Sequence, residues 1–179
     1  MKKRLQWILA LVMVLTLTTC SFAMAGGELK DYAMKQFNYK MWASWEMIES
    51  DETTHYFYED SSTNPMVGYV CVQIQSLDAE QMAAIDNANM TDDAILGMIV
   101  SGMGSNLSVE FDTSMGTFGE LTGMLFSGKW TSMNADIVGF VCREGSDFFF
   151  IMYADNNNTI DGMMTELTEE LLPEVTVAK

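Results

Sequence analysis

The chain has 179 residues, of which 49% are hydrophobic and 19% charged, and its formal net charge is −16. That length suits one domain with a real core. The charge is wrong for gripping phosphate backbones or anionic lipid headgroups, so nucleic-acid binding is not expected.

An export signal comes first in chain order. Lys2, Lys3 and Arg4 make a basic start, and the apolar run "WILALVMVL" spans Trp7 to Leu15. A bilayer-spanning helix needs about 20 apolar residues, so this run is short for an anchor. Ala23-Met24-Ala25 supplies the small-x-small pattern that a signal peptidase cuts. The cut falls before Gly26 and assigns residues 1–25 to a signal peptide. An alternative cut uses Leu17-Thr18-Thr19-Cys20, which resembles a bacterial lipobox. Cys20 would then be acylated, and the protein would be held to a membrane by lipid. The first cut predicts a secreted protein, the second a lipoprotein at the extracytoplasmic cell surface. Cleavage after Ala25 leaves 154 residues, in which six basic residues face 25 acidic ones, a net charge of −19. Such charge serves solubility outside the cell, and it also attracts cations or a basic partner.

Residues 26–36 are expected to be a flexible leader. Strand-like runs follow: "FNYKMW" from Phe37, then "THYFYED" from Thr54, with Trp45 between them. The turn-rich "DSSTNP" ends that arm. "MVGYVCVQIQ" is a third strand, with Val70, Val72 and Ile74 on one face. Asp78 and Gln81 have capping-box spacing and open a helix whose apolar face begins at Met82 and Ile85. Thr91 caps a second helix, with Asp92 and Asp93 in its first turn. Ile95, Met98, Ile99 and Gly102 follow at helical spacing, and Gly104 is expected to close it.

Four strands come next: "LSVEFDT", "ELTGMLFSGKW", "DIVGFVCRE" and "DFFFIMYAD". The tight link "REGSDF" makes the last two antiparallel. Phe148, Phe150 and Met152 fall on one face, and Phe149, Ile151 and Tyr153 on the other, so both faces need cover. Thr159 caps a final helix with the stripe Ile160, Met163, Met164, Leu167 and Leu171, and Pro173 ends it. The whole predicts a single α+β domain over 37–179, a mostly antiparallel sheet sandwiched between helices.

An aromatic opening, "YKMWASW", then two strands, a helical excursion, a four-strand meander and an amphipathic helix resemble the PsbP-like family. Its members include an extrinsic photosystem II subunit, a Ran-binding nuclear import factor and many bacterial exported proteins or lipoproteins. The resemblance covers Phe37 to Val175, and Trp45 stands where such proteins often carry a Trp after the first strand. It implies a PsbP-like fold, no shared catalytic residues, and a module that binds a protein or another ligand.

The chemistry-bearing residues are few. Cys71 and Cys142 are an even pair in an exported chain, which permits one disulfide or two buried free thiols. With no CxxC and no Cys/His cluster, a structural zinc site is not expected. His55 is the only histidine and would need a nucleophile within reach to serve a hydrolase. Asp92-Asp93 and Glu169-Glu170 suit helix surfaces better than acid/base work. The 14 methionines left after signal removal are scattered. Met98, Met152 and Met163 therefore fit core filling better than Cu(I) ligation. Asp155, Asn157, Thr159, Asp161 and Glu166 occupy positions 1, 3, 5, 7 and 12 of a calcium-loop frame, but Ile160 replaces its glycine at position 6. The competing assignment is a strand-to-helix turn. "GSNLS" and "SGMG" lack a phosphate-loop lysine. The expectation is an exported, non-catalytic binding module without cofactor, for a protein or small ligand. The alternatives are an extracytoplasmic hydrolase built around His55 and a weak calcium-binding surface protein.

Overall fold

The structure is a computed structural model that describes residues 27–59 and 68–178. The signal segment, Cys20 and the "DSSTNP" stretch lie outside the described residues. Among the described residues, ten strands form two antiparallel sheets. The first five are β1 (Leu29–Met34), β2 (Phe37–Trp42), β3 (Glu46–Ser50), β4 (Thr54–Tyr58) and β5 (Tyr69–Ser76). Helices α1 (Ala79–Asn87) and α2 (Asp92–Leu107) follow. Strands β6 (Asp112–Phe118), β7 (Leu121–Trp130), β8 (Ala135–Glu144) and β9 (Asp147–Asp155) make the meander, before α3 (Ile160–Thr165) and β10 (Thr176–Val177). The large sheet runs β3-β4-β5-β9-β8-β7-β6, and the small one β1-β2-β10.

The strand-to-strand register explains both faces. Ile74, Phe149 and Cys142 stand opposite one another across β5, β9 and β8. With Val70, Val72, Ile151, Tyr153, Val138 and Phe140 they form the larger buried cluster. The small sheet covers it, with Phe37 stacked on Phe149 at 4.9 Å between ring centroids. The stripe of the C-terminal helix, Met163, Leu167 and Leu171, completes the cover. The other face carries Ile137, Val141, Met124, Phe126, Phe148 and Ala154, packed on Ile95, Leu96 and Val100 of α2. Among the described residues no helix is long and apolar enough to cross a membrane.

Local signals place most elements. Asp78 and Gln81 bond each other's backbone in a full capping box. Thr91 and Thr159 each accept a backbone N–H three residues on, at 3.3 and 3.1 Å. The β8–β9 hairpin turns on Gly145, whose φ of +62° suits glycine.

Several expectations are corrected. The leader is not loose over residues 29–34: β1 pairs along the full length of β2, from Leu29–Trp42 to Met34–Phe37. An edge strand of a covering sheet needs few buried side chains, and β1 fully buries only Met34, so its apolar pattern is weak. "EMIES" forms β3, also an edge strand, interrupted by an irregularity between Met47 and Glu49. The strand expected at "LSVEFDT" starts only at Asp112, because α2 runs to Leu107 and ends at Ser108 in the left-handed conformation. Gly104 does not stop the helix. A Cβ there would lie 2.6 Å from the Val109 carbonyl oxygen and 3.1 Å from Phe111, so glycine lets the exiting chain fold back. The final helix loosens after Thr165 into a π-helical turn, Glu166–Leu171, and a 3₁₀ turn around Pro173. Its partner layer on that face is a sheet as well as a helix.

Candidate functional site: an aromatic and acidic cleft

Trp42 ends β2, and the Trp45 N–H donates to the Trp42 carbonyl at 3.0 Å. This turn brings both indoles to one end of the large sheet, with centroids 4.8 Å apart. Tyr153 of β9 joins them at 5.8 Å from Trp42 and 5.6 Å from Trp45. All three rings are buried. The Trp42 indole N–H is satisfied by the Glu170 carboxylate at 2.8 Å.

Glu59 stands beyond β4, where its N–H donates to the Gly68 carbonyl at 2.9 Å. Gly68 has φ +65°, and a Cβ there would come within 2.8 Å of Glu59 Cβ and 3.3 Å of the Trp45 ring. Only glycine lets that carboxylate and that indole close on each other.

The third wall is the β9–α3 link. Asp155 accepts the Asn157 N–H at 2.6 Å, and Asn158 accepts the Thr159 N–H at 2.8 Å. The Asn158 side-chain amide donates to both Glu166 carboxylate oxygens at 3.3 Å. Trp42, Trp45, Tyr153, Glu59, Asp155, Asn157, Asn158 and Glu166 together line a cleft of about 270 Å³. Burial raises the Glu166 carboxyl above its ordinary range, and the charges of Glu170 and Asp155 add to the rise. Hydrogen bonds with Tyr153 and Asn158 oppose it. Burial likewise raises the Tyr153 phenol. Across Asp155 lies a second cleft of about 300 Å³, lined among others by Lys129, Trp130 and Asp136.

The sequence-selected residues fare unevenly. Asp155, Asn157 and Glu166 meet at the first cleft, but Asp161 does not line it. The calcium-loop frame does not wrap as one, since Thr159 is spent on the helix cap and residues from Ile160 onward are helical. Among the described residues, no three His, Cys, Asp or Glu side chains converge closely enough to hold a metal ion.

Cys71 and Cys142 are both free and buried, the second of the two arrangements that their even count permits. Cys71 stands opposite Met152, and Cys142 opposite Phe149, on strands flanking β9. Met152 and Phe149 lie on opposite faces, so the two thiols point away from each other and no bridge can span the sheet. Burial pushes their pKa values to about 11 and about 12, the form least reactive toward oxidants.

His55 lies away from the cleft, with its Nδ1 hydrogen-bonded to the Tyr39 hydroxyl and its ring near Tyr32 and Phe57. Burial lowers its pKa, against the pull of Asp51. A separate cluster of Lys35, Ser76 and Asp147 ties the β1–β2 turn to the start of β9, with the lysine ammonium 3.4 Å from the carboxylate. An ion-paired lysine is a poor general base, so this cluster acts as a clasp.

The calcium-loop frame brings out Asp155, Asn157 and Glu166, while Trp45 stands out in the sequence only as a landmark of the family resemblance. Trp42, Glu59 and Tyr153 escaped sequence reasoning as site residues, because only the folded sheet brings them beside that loop.

No family model matches the sequence, and no curated protein matches it. The structure is similar to the solution structure of cyanobacterial PsbP (CyanoP) from Synechocystis sp. PCC 6803, with a TM-score of 0.57 at 8% identity, over 88% of this chain and 95% of that one. It is also similar to a crystal structure from Bacteroides thetaiotaomicron VPI-5482, with a TM-score of 0.50 at 12% identity over 86% of this chain. There the chain spans about half, 49%, of the other protein's length. At such identities the likeness carries architecture and no residue roles. The likeness to cyanobacterial PsbP over most of both chains shows that the fold is PsbP-like.

Proposed function

We propose that this protein is an exported, non-catalytic binding module that takes a ligand in the cleft between Trp42, Trp45, Tyr153 and Glu166. The basic start, apolar run and Ala25 cleavage pattern support an extracytoplasmic location. The observation that carries the reading is the cleft itself, where buried rings and carboxylates from four separate parts of the chain meet. The cleft sets aromatic rings beside carboxylates and amides, and placed polar groups of this kind are what orient small ligands in concave sites. The engagement of His55 by Tyr39, outside the cleft, favours binding over hydrolysis.

A thermal-shift survey of small metabolites tests this. At least one compound should raise the melting temperature of the wild-type protein and fail to raise that of Trp45→Ala or Glu59→Gln. No shift with any compound, or the same shift in both variants, would remove the cleft as the site. An ester, glycoside or peptide hydrolysis lost in His55→Ala would replace binding with the hydrolase alternative.

A further inference from the structure

We infer that the cleft takes a small organic cation with an ammonium headgroup of the trimethylammonium class. This deepens the binding function proposed above and rests on it. Three aromatic rings packed on one another, at 4.8 to 5.8 Å between centroids, border one side of the cleft, and Trp45 is the most exposed of them at 7%. The negative faces of such rings attract a cation whose hydration is weak, and quaternary ammonium is the type that aromatic cages select. Glu59, Asp155 and Glu166 stand around the same space.

The carboxylates are spread around the cleft and do not meet at a point, since among the described residues no metal-holding trio forms. A compact divalent ion needs its oxygens within about 2.0–2.6 Å. A diffuse charge of headgroup size does not. The volume of about 270 Å³ is below the range of about 300–1,000 Å³ usual for drug-sized ligands, so it suits a headgroup or a small whole molecule.

Asp155 is 4% exposed, with its oxygens occupied by the Asn157 N–H and the Tyr153 hydroxyl at 2.6 and 3.5 Å. It supplies field to the cleft without competing for hydration. Glu59 is exposed at the rim and acts first on an arriving charge. The net charge of −19 left after cleavage adds attraction for any cation and repulsion for an anionic group tethered to it. A phosphate beside the ammonium would meet this rim, so the favoured source is a free cation rather than a phosphocholine headgroup.

Titration calorimetry of the purified protein with choline, tetramethylammonium, phosphocholine and the uncharged carbon isostere of choline decides the matter. Choline and tetramethylammonium should bind saturably at one site, and the uncharged isostere should bind about tenfold more weakly or worse. Trp45→Ala should weaken choline by about tenfold or more. Trp45 is a core residue, so Glu59→Gln at the exposed rim provides the variant that keeps the fold. It should weaken choline severalfold, and added salt should shrink that difference. Equal binding of choline and its uncharged isostere would overturn the cation while leaving the cleft a binding site. So would binding of other compounds in the cleft without choline or tetramethylammonium. Phosphocholine binding as tightly as choline would overturn the free cation. If nothing at all binds in the cleft, the proposed function falls with the inference.

Discussion

The two faces of the large sheet are covered in different ways. On the Phe149 face, β2 lays Phe37, Tyr39 and Trp42 across β9 and β4, and the C-terminal helix adds Met163, Leu167 and Leu171, all buried. On the Phe150 face, α2 sits over β7 and β8 and leaves Gln73 and Gln75 of β5 exposed, with Phe150 and Met152 only half-buried. A sheet and a helix together seal a face that one helix cannot span. The first face therefore carries stability, and the second is held by a narrower strip.

The largest effect should follow from emptying the sealed face. Phe149→Ala should cost about 3–5 kcal/mol, measured by urea unfolding. Leu96→Ala on the helix face should cost less within its usual span of about 2–5 kcal/mol, because an edge helix can settle into the space. A larger loss at Leu96 would reverse the ranking of the faces.

Gly139→Ala tests the tightest point of the helix face. A Cβ there would lie 2.2 Å from the Phe126 ring and 2.7 Å from the Ile151 carbonyl oxygen. Ring and backbone would both have to move, at about 1–3 kcal/mol. Gly102, on the exposed side of α2, meets nothing within 4 Å. Gly102→Ala should therefore stabilise, by about 0.5–1 kcal/mol, through helix propensity and a less free unfolded chain. Opposite signs for these two glycines would show that the strip under α2 is well packed though narrow.

The smallest effect is a pH dependence on the sealed face. Burial lowers the His55 pKa from 6.5, so the folded protein prefers the neutral ring. Its contribution is complete above pH 6.5 and is lost as pH falls through the lower folded value. His55→Gln should flatten the fall in melting temperature in that window. An unchanged slope would mean that other groups titrate there.

Much of the fold was legible in the chain. The three helix caps at Asp78, Thr91 and Thr159 are local chemistry, and so is the Gly145 hairpin. The two-sided apolar character of "DFFFIMYAD" correctly demanded cover on both faces. What escaped were the edge strands β1, β3 and β10. An edge strand is held by pairing with a neighbour more than by its own pattern, and β10 has only two residues. Of the cleft, Asp155, Asn157 and Glu166 were in view through the calcium-loop frame, and Trp45 only as a landmark of the family resemblance, but nothing in either segment says that they meet. The thiols stayed open for a related reason: their spacing is silent on which side of the sheet each falls, and strand register decides that.

The position of β2 between β1 and β10 has a consequence for assembly. One neighbour of β2 is its immediate predecessor, and the other pairs Phe37 with Val177, 140 residues away in sequence. The N–H of Ala178 closes this seam on the Gln36 carbonyl at 2.7 Å. A chain that emerges from a ribosome or a translocation channel N-terminus first can form the β1–β2 hairpin at once. It cannot finish the lid over Phe149 until Thr176 and Val177 are free to pair with β2. Closure over so long a loop is slow to find. Until then β2 presents an open edge, so β10 acts as the latch that ends the exposure of an aggregation-prone strand.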